Sequence, residues 1–167
     1  MESLIKNKDD SFTVPRCTSN NKFLKPRVRH CCDVLIDFRT CLTPPPEDFK
    51  DLKVMSKLYV KIEKVCCGKV LIGGTLHKTI KWDKAEDAIF CSEDKLIVHK
   101  DIPFSCFIDF DCAEETDIFE IVGSEIICEF SELLRFKEGP NGKAIFNEKD
   151  IVIIAIQRKN GKQPFNK

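Results

Sequence analysis

The sequence predicts an all-β protein: a single antiparallel β-sandwich or barrel-like domain of about seven strands with an extended N-terminal arm. Apolar residues alternate with polar ones in several short stretches, as at Val34, Ile36 and Phe38. This period of two is typical of strands with one buried face. No long stretch repeats its apolar residues every 3.6 positions, as an amphipathic helix would. The 167 residues are 43% hydrophobic, which is enough to give one domain a core.

The predicted strands follow one another along the central part of the chain. They cover residues 34–38, 58–62, 69–82, 96–99, 104–110, 118–130 and 150–156. The pair Gly73 and Gly74 falls inside the third of these and predicts a bulge or a bend. The prolines at 44–46 open a loop with a short helical turn near residues 47–52, and the Gly-Pro-Asn-Gly segment at 139–142 predicts a turn before the last strand.

Charge is distributed unevenly, although the 27 basic and 27 acidic residues cancel. We divide the chain into a basic arm at 1–30, a β-domain at 31–156 and a basic tail at 157–167. The arm and the tail each carry a net charge of +4, and the domain between them carries −8. Such an arrangement could steer head-to-tail association, whereas polar termini without that role are the commoner case. An acidic run from Asp109 to Glu120 fits a solvated loop or a receptor for a neighbour's arm.

Several functional classes are disfavoured by the composition and by missing motifs. No apolar run reaches the roughly 18 residues that a membrane-spanning helix needs, and the balanced charge argues against nucleic-acid binding. The sequence has no glycine-rich phosphate loop, no nucleophile with supporting His and Asp, and no EF-hand spacing. We therefore expect no enzymatic activity, no catalytic residue, no cofactor, no metal ligand, and neither a membrane nor a nucleic acid as partner.

Ten cysteines are the most unusual feature of the composition. The N-terminus lacks the apolar segment of a secretory signal, so we expect synthesis in the cytoplasm, where thiols stay reduced. Zinc is the usual intracellular explanation for many cysteines, but the chain has no Cys-x-x-Cys pair. A zinc-binding or redox protein is therefore only the third hypothesis.

Two cysteine doublets, Cys31-Cys32 and Cys66-Cys67, say more about function than the number of cysteines does. Adjacent residues on a strand point to opposite faces, so one thiol of each doublet faces outward and is available to another chain. We take Cys17, Cys31, Cys32, Cys66 and Cys67 as candidates for disulfides between subunits. We expect the other five to be core cysteines or to form other disulfides; they are Cys41, Cys91, Cys106, Cys112 and Cys128.

Three segments of the chain resemble the SPOCS domain of coat and morphogenetic proteins from spore-forming bacteria. They are Lys-Val-Leu-Ile-Gly-Gly-Thr-Leu-His at 69–77, Val-His at 98–99, and Ile-Pro-Phe-Ser-Cys-Phe-Ile at 102–108. The resemblance extends over about residues 24–156, and the last segment is its most specific part. The residues that carry it are Gly74, Leu76, Val98, His99, Pro103, Phe104, Phe107 and Ile108.

The resemblance, together with the cysteine doublets and the basic arm, predicts a self-assembling structural protein of the bacterial spore surface, forming a fibre or appendage or a lattice in the exosporium or coat. The protein would be made in the mother-cell cytoplasm, reduced during synthesis and oxidised after assembly. Its main partner would be itself, through arm exchange and disulfides between subunits, with other coat proteins as further partners. The alternative is an adaptor module of the spore coat that binds another coat protein or a glycan. No catalytic residue carries over from the family.

Overall fold

Two antiparallel sheets packed face to face form the protein in this computed structural model. The structure describes residues 5–6, 11–17, 30–83, 95–136 and 142–159, the first two segments by their backbone alone. The strands are β1 (Ile5–Lys6), β2 (Ser11–Cys17), β3 (His30–Leu42), β4 (Lys53–Cys66), β5 (Lys69–Asp83), β6 (Lys95–Asp109), β7 (Phe119–Phe136) and β8 (Lys143–Arg158). A 3₁₀ turn at Phe49–Asp51, capped by the Asp48 side chain, lies in the predicted helical turn.

The strand order is β1-β2-β7-β8-β3 in one sheet and β4-β5-β6 in the other, and every pairing is antiparallel. Both sheets are open, so the fold is a sandwich and not a closed barrel. The predicted all-β class is confirmed. The segments at 96–99 and 104–110, predicted as two strands, are parts of the single strand β6.

Every second side chain along the strands points inward, and these inward side chains, mostly aliphatic and aromatic, fill the space between the two sheets. One cluster includes Ile36, Ile72, Leu76 and Ile154 from both sheets, all fully or almost fully buried. A second cluster lies around Trp82 towards one end of the sandwich. Removal of this apolar surface from water is the main force that holds the two sheets together.

The glycine pair in β5 lies beside the bulge rather than in it. Pairing of β5 with β4 is regular through Gly73 and Gly74, and the extra residue is Glu63 in β4, between Ile62 and Lys64. The Glu63 side chain occupies the space over Gly73 where a Cβ would otherwise be. The predicted irregularity is therefore present, but on the partner strand.

Part of the predicted basic arm forms a strand of the larger sheet. Strand β2 pairs antiparallel with β7 from Ser11, opposite Leu134, to Cys17, opposite Cys128. The predicted tail at 157–167 begins inside β8, which continues to Arg158. A segment near each end of the chain thus belongs to the same sheet.

Candidate functional site

The residues that carry the family resemblance lie side by side on β5 and β6. Gly74 is opposite Phe104, and a Cβ added to Gly74 would lie 2.6 Å from the carbonyl oxygen of Tyr59. Only glycine therefore lets the Phe104 ring lie against the backbone of β5, a pairing in which an aromatic ring covers a glycine of the next strand. Leu76 and Ile108 lie on the same inner face of the sheet as this pair and are buried in the core.

The other motif residues mark β6 as an edge strand. Pro103 lacks a backbone N–H, and a proline within a sheet is tolerated at an edge. Val98 is half-buried against the inner cluster, whereas Phe107 points outward and is 59% exposed. The proline blocks further strand pairing at this position, so β6 is a protected edge.

The motif histidine belongs to a polar network on the outer face of the three-stranded sheet. The Thr79 hydroxyl lies 3.0 Å from Nδ1 of His99 and 3.4 Å from Nε2 of His77. Nδ1 of His77 lies against the Asp101 carboxylate, and the two imidazole rings stack. The network joins β5 to β6, so these histidines have structural partners.

Large apolar side chains surround this network on the same outer face. Met55 and Tyr59 on β4 and Ile97 on β6 are each about half exposed. A shallow groove with Tyr59 on one wall and Pro103 on the other crosses the sheet at Gly74. This face offers apolar contacts to a partner, as the adaptor hypothesis requires.

Two cysteines of the chain are bonded to each other across the sandwich. Cys32 on β3 forms a disulfide with Cys106 on β6, with their Cα atoms 6.8 Å apart. The bond joins the two sheets at the end of the sandwich where β3 begins. Cys128 on β7 is also disulfide-bonded, and the backbone register places the Cys17 position opposite it.

Free thiols lie mainly on the surface of the described part of the chain. Cys31 and Cys41 are exposed on β3, so the first doublet has its bonded member facing inward and its free member facing outward. Cys66 is half-buried at the end of β4, and Cys67 and Cys112 are exposed in turns. Cys91 and the side chain of Cys17 lie outside the described residues.

The turns that hold Cys67 and Cys112 are hydrogen-bonded to each other. The N–H of Gly68 donates to the carbonyl of Ala113, and the N–H of Phe110 donates to the carbonyl of Gly68, both at 3.0 Å. Cys67 and Cys112 therefore lie in neighbouring turns at one end of the sandwich, and Cys66 lies next to them at the end of β4. Cys31, at the start of β3, is near by, since the ring of its neighbour His30 packs against the Phe110 ring with 3.9 Å between their centres.

Basic residues near the C-terminus meet part of the acidic run within the same chain. Arg158 pairs with Asp117 at 2.6 Å, and its guanidinium lies 5.1 Å from the centre of the Phe110 ring. Lys159 pairs with Glu120 at 3.4 Å. The acidic run is therefore engaged by its own chain at these two positions.

A buried cluster of charges between the sheets was not anticipated from the sequence. Lys78 on β5 is fully buried, and its Nζ lies 3.0 Å from carboxylate oxygens of both Glu148 and Asp150 on β8. Nζ also donates to the Ser56 hydroxyl at 2.8 Å and approaches Glu129 at 3.3 Å. The alternation along the strands gives one indication of this cluster in the sequence, because it places Lys78, Glu148 and Asp150 at inward positions.

Three carboxylates around one ammonium leave an excess of negative charge in this cluster. Burial and the neighbouring Glu148 raise the pKa of Asp150 to about 7, against the opposing attraction of Lys78. Burial likewise raises the pKa of Glu148, although Lys78 opposes the shift. For Lys78, burial alone would lower the pKa, but attraction to Glu148 and Asp150 outweighs it and raises the value. The cluster therefore holds a proton near neutral pH.

The same cluster is where a cation would bind among the described residues. Oxygens of Glu129, Glu148 and Asp150 lie within 4.8 Å of one another, and these three residues form the one such group of potential ligands there. The Lys78 ammonium already lies among them and supplies the positive charge. The arrangement is thus a salt-bridge network that joins β5 to β8.

Comparison with known proteins supports the resemblance. Residues 50–126 match the family model described as SipL, SPOCS domain, and the matched range contains all eight motif residues. The predicted resemblance is therefore confirmed over these residues, and it indicates a spore-associated protein. No curated protein and no solved structure gives a significant match. None of the described residues belongs to a helix that is long and apolar enough to cross a membrane.

Proposed function

We propose that this chain, spore-associated by its SPOCS-domain match, is a self-assembling structural protein of the spore surface. Its copies would join into a fibre or appendage, or into a lattice of the coat or exosporium, by exchange of strand β2 and by disulfides between subunits. The role would be structural rather than catalytic. The partners would be further copies of the chain and other coat proteins.

The position of β2 is the observation that carries the proposal. This strand, from the basic arm, pairs along seven residues with β7. In the five-stranded sheet, β7 is therefore covered by a segment that is far from β7 in sequence. Strand addition of this kind works as well between chains as within one, because the backbone hydrogen bonds are the same. A copy that donates β2 to its neighbour leaves its own β7 edge open for the next copy, which propagates the assembly.

The connection between β2 and β3 is long enough for exchange. Within one subunit, Cys17 and His30 are separated by three strand spacings and about five residues along the strands, or roughly 22 Å. The twelve residues at 18–29 can span up to about 45 Å when extended. The surplus lets β2 reach the β7 edge of a neighbouring subunit.

A disulfide could lock the exchanged strand. The register places Cys17 opposite Cys128, and facing residues of antiparallel strands are close enough for a disulfide. After exchange, this bond would join two subunits, which fits the prediction that Cys17 forms an inter-subunit bond. It would also fit the resistance to dissociation that a spore surface needs, because covalent links do not dissociate.

Proline substitutions in β2 test the proposal with an internal control. Successive N–H groups of a strand point to opposite edges, so of Thr13→Pro and Val14→Pro one removes a hydrogen bond to β7 and the other removes an N–H on the opposite side of β2, where the two-residue β1 pairs. We expect recombinant wild-type protein to form fibres or sheets under electron microscopy in oxidising buffer. One of the two variants should lose them and the other should keep more of them.

Labelled and unlabelled subunits show whether the Cys17–Cys128 bond crosses between chains. We expect mixtures of ¹⁴N and ¹⁵N protein, assembled and then oxidised, to give mixed-isotope peptides joining Cys17 to Cys128. A monodisperse monomer with only single-isotope peptides, and no larger species on non-reducing gels, would refute assembly by exchange.

The adaptor function remains the second candidate because of the outer face of the three-stranded sheet. Its half-exposed apolar residues, Tyr59 and Phe107 among them, form a surface that assembly through β2 does not use. An adaptor would be a small oligomer that binds a coat partner saturably and independently of reductant. Replacement of Tyr59 and Phe107 by Ser should then abolish partner binding while the small oligomer stays intact, whereas a purely self-assembling protein would show no such partner.

A further inference from the structure

Of the strands that end the two sheets, β3 has outward charges of both signs but no lysine, proline or bulge that would block pairing with another strand. Edge strands are commonly blunted by lysines, prolines or bulges. Strand β4 has four lysines and the bulge at Glu63, and β6 has Pro103. Strand β3 has no lysine, proline or bulge along its thirteen residues, and in the described part of the chain it has a hydrogen-bonded neighbour only on the β8 side.

The outward residues of β3 are complementary to themselves when the strand is reversed. Reading outward positions from 31 to 41 gives Cys, Asp, Leu, Asp, Arg and Cys, all exposed. Two copies of β3 that pair antiparallel over their full length bring Cys31 opposite Cys41 of the other copy, twice. The same register brings Asp33 opposite Arg39, also twice, and cross-strand pairs of opposite charge are stabilising.

Other registers are less favourable for the same residues. A shift by one residue turns the apolar side chains from the inner face to the outer face. A shift by two residues in one direction sets Asp33 against Asp37, and in the other direction sets Asp37 against its own copy. Like charges placed opposite each other are destabilising, so the full-length register is preferred over these neighbours.

An exposed leucine lies at the centre of this register. Leu35 is 65% exposed, the highest exposure of any large hydrophobic residue in the described chain. In the full-length pairing, Leu35 faces Asp37 of the other copy and is a diagonal neighbour of the other Leu35 on the outer face, within reach of it. The pairing therefore covers the apolar side chain that the single subunit leaves in water.

From these observations we infer that β3 is a self-association seam, in which two copies pair antiparallel in full register and are locked by two Cys31–Cys41 disulfides. This inference adds a second contact to the assembly that we propose above. It rests on the proposed function only because copies of the chain must meet. Facing Cα atoms of antiparallel strands are about 4.5–5.5 Å apart, within the range of a disulfide. For each bond, two thiols lose their protons and two electrons to a small disulfide such as oxidised glutathione, which leaves as two reduced thiols.

The seam can be recognised by a cross-link that no single subunit can form. Cys31 and Cys41 lie ten residues apart on one strand, or about 33 Å, so a bond between them must join two chains. Trypsin separates them into peptides 30–39 and 40–50. Peptide 30–39 also contains Cys32, which is bonded to Cys106, so fragmentation must assign the new link to Cys31. We expect Cys31 to be linked to Cys41 in wild-type protein oxidised with glutathione, and the absence of this link from cross-linked material would overturn the inference.

Complementation between two serine variants tests the register. In a background with Cys17, Cys66, Cys67, Cys91, Cys112 and Cys128 replaced by Ser, neither Cys31→Ser nor Cys41→Ser alone should form covalent dimers, because each remaining thiol faces a serine. An equimolar mixture of the two should form them. Dimers from either variant alone, or none from the mixture, would overturn the seam. If this background fails to fold, the peptide map of the wild-type protein decides.

Charge reversal separates the seam from arm exchange. Arg39→Asp should lower the yield of Cys31–Cys41 dimer several-fold, and the double change Asp33→Arg with Arg39→Asp should restore it. The Thr13→Pro and Val14→Pro variants should leave this dimer unchanged. In the wild-type protein, formation of the Cys31–Cys41 bond without fibres would refute arm exchange alone, and fibres without this bond would refute the seam alone.

Discussion

Replacement of Asp150 by Asn should make the stability of this protein less dependent on pH. Asp150 is fully buried beside Lys78 and Glu148, and burial raises its pKa from 3.8 to about 7. The folded state therefore holds the Asp150 proton more tightly than the unfolded state does. This stabilising contribution is complete below pH 3.8 and is lost as the pH rises through about 7.

The size of the effect follows from the two pKa values. At pH 5 the unfolded carboxyl is already ionised while the folded one is protonated, and at pH 8 both are ionised. Integration of the proton-binding difference gives a free energy of unfolding that is about 3 kcal/mol lower at pH 8 than at pH 5 from Asp150 alone. The side-chain amide of the Asp150→Asn variant does not titrate in this range, so this part of the pH dependence disappears.

Equilibrium unfolding in urea at pH 5 and pH 8 measures the effect, with the buried Trp82, the single tryptophan, as the fluorescence probe. Groups outside the cluster titrate equally in both proteins and cancel in the comparison. Lys78 and Glu148 interact with Asp150, so the difference between the two proteins measures the coupled cluster. Asp111→Asn, in an exposed turn, is the matched control and should keep the wild-type slope. An Asp150→Asn protein with the same pH dependence as the wild type would refute the reasoning.

Three further changes test the packing and the cross-link in the same unfolding assay. Lys78→Met leaves buried carboxylates without their counter-charge and should cost about 3–5 kcal/mol at pH 8, with less cost at pH 5 where a carboxyl is protonated. Gly74→Val drives a side chain against Phe104 and a β4 carbonyl and should cost about 1–3 kcal/mol, whereas Gly73→Ala meets mainly a movable side chain and should cost less. Joint replacement of Cys32 and Cys106 by Ser opens a loop of 74 residues and should lower stability by about 4 kcal/mol under oxidising conditions, with little change when both proteins are reduced.

The strands could be predicted from sequence because the face on which each side chain lies depends on local alternation. The odd residues from Cys31 to Cys41 are exposed as the pattern of two requires, and the bonded and free members of the first doublet lie on opposite faces. The alternation predicts two strands here because Lys100, Asp101 and Pro103 separate its two segments, and it does not predict the continuous β6. An edge strand accepts both features, and its edge position depends on pairing far away in sequence.

The charged cluster could not be assembled from the pattern alone, although its members fall at inward positions. Lys78 and Asp150 are 72 residues apart, and no local rule says that β5 faces β8 at this level. A charged residue at a predicted inward position often means that the inner and outer faces of the strand have been assigned the wrong way round. In this protein the inward charges are real and have partners on the opposite sheet, which only the packing of the two sheets reveals.

The strands at the sheet edges limit the form that the proposed assembly could take. Strand β4 and strand β6 are protected, so the three-stranded sheet would not extend to another copy. In the proposed assembly, the five-stranded sheet would make two different contacts: β7 would receive β2 of another copy, and β3 would pair with its own copy. Strand donation at β7 would be a head-to-tail contact that continues from copy to copy, whereas pairing at β3 would be two-fold symmetric and stop at two. When both contacts form, each copy in a chain of exchanged strands would also be joined to a copy in a second chain, so the smallest open assembly would be a paired filament rather than a single thread.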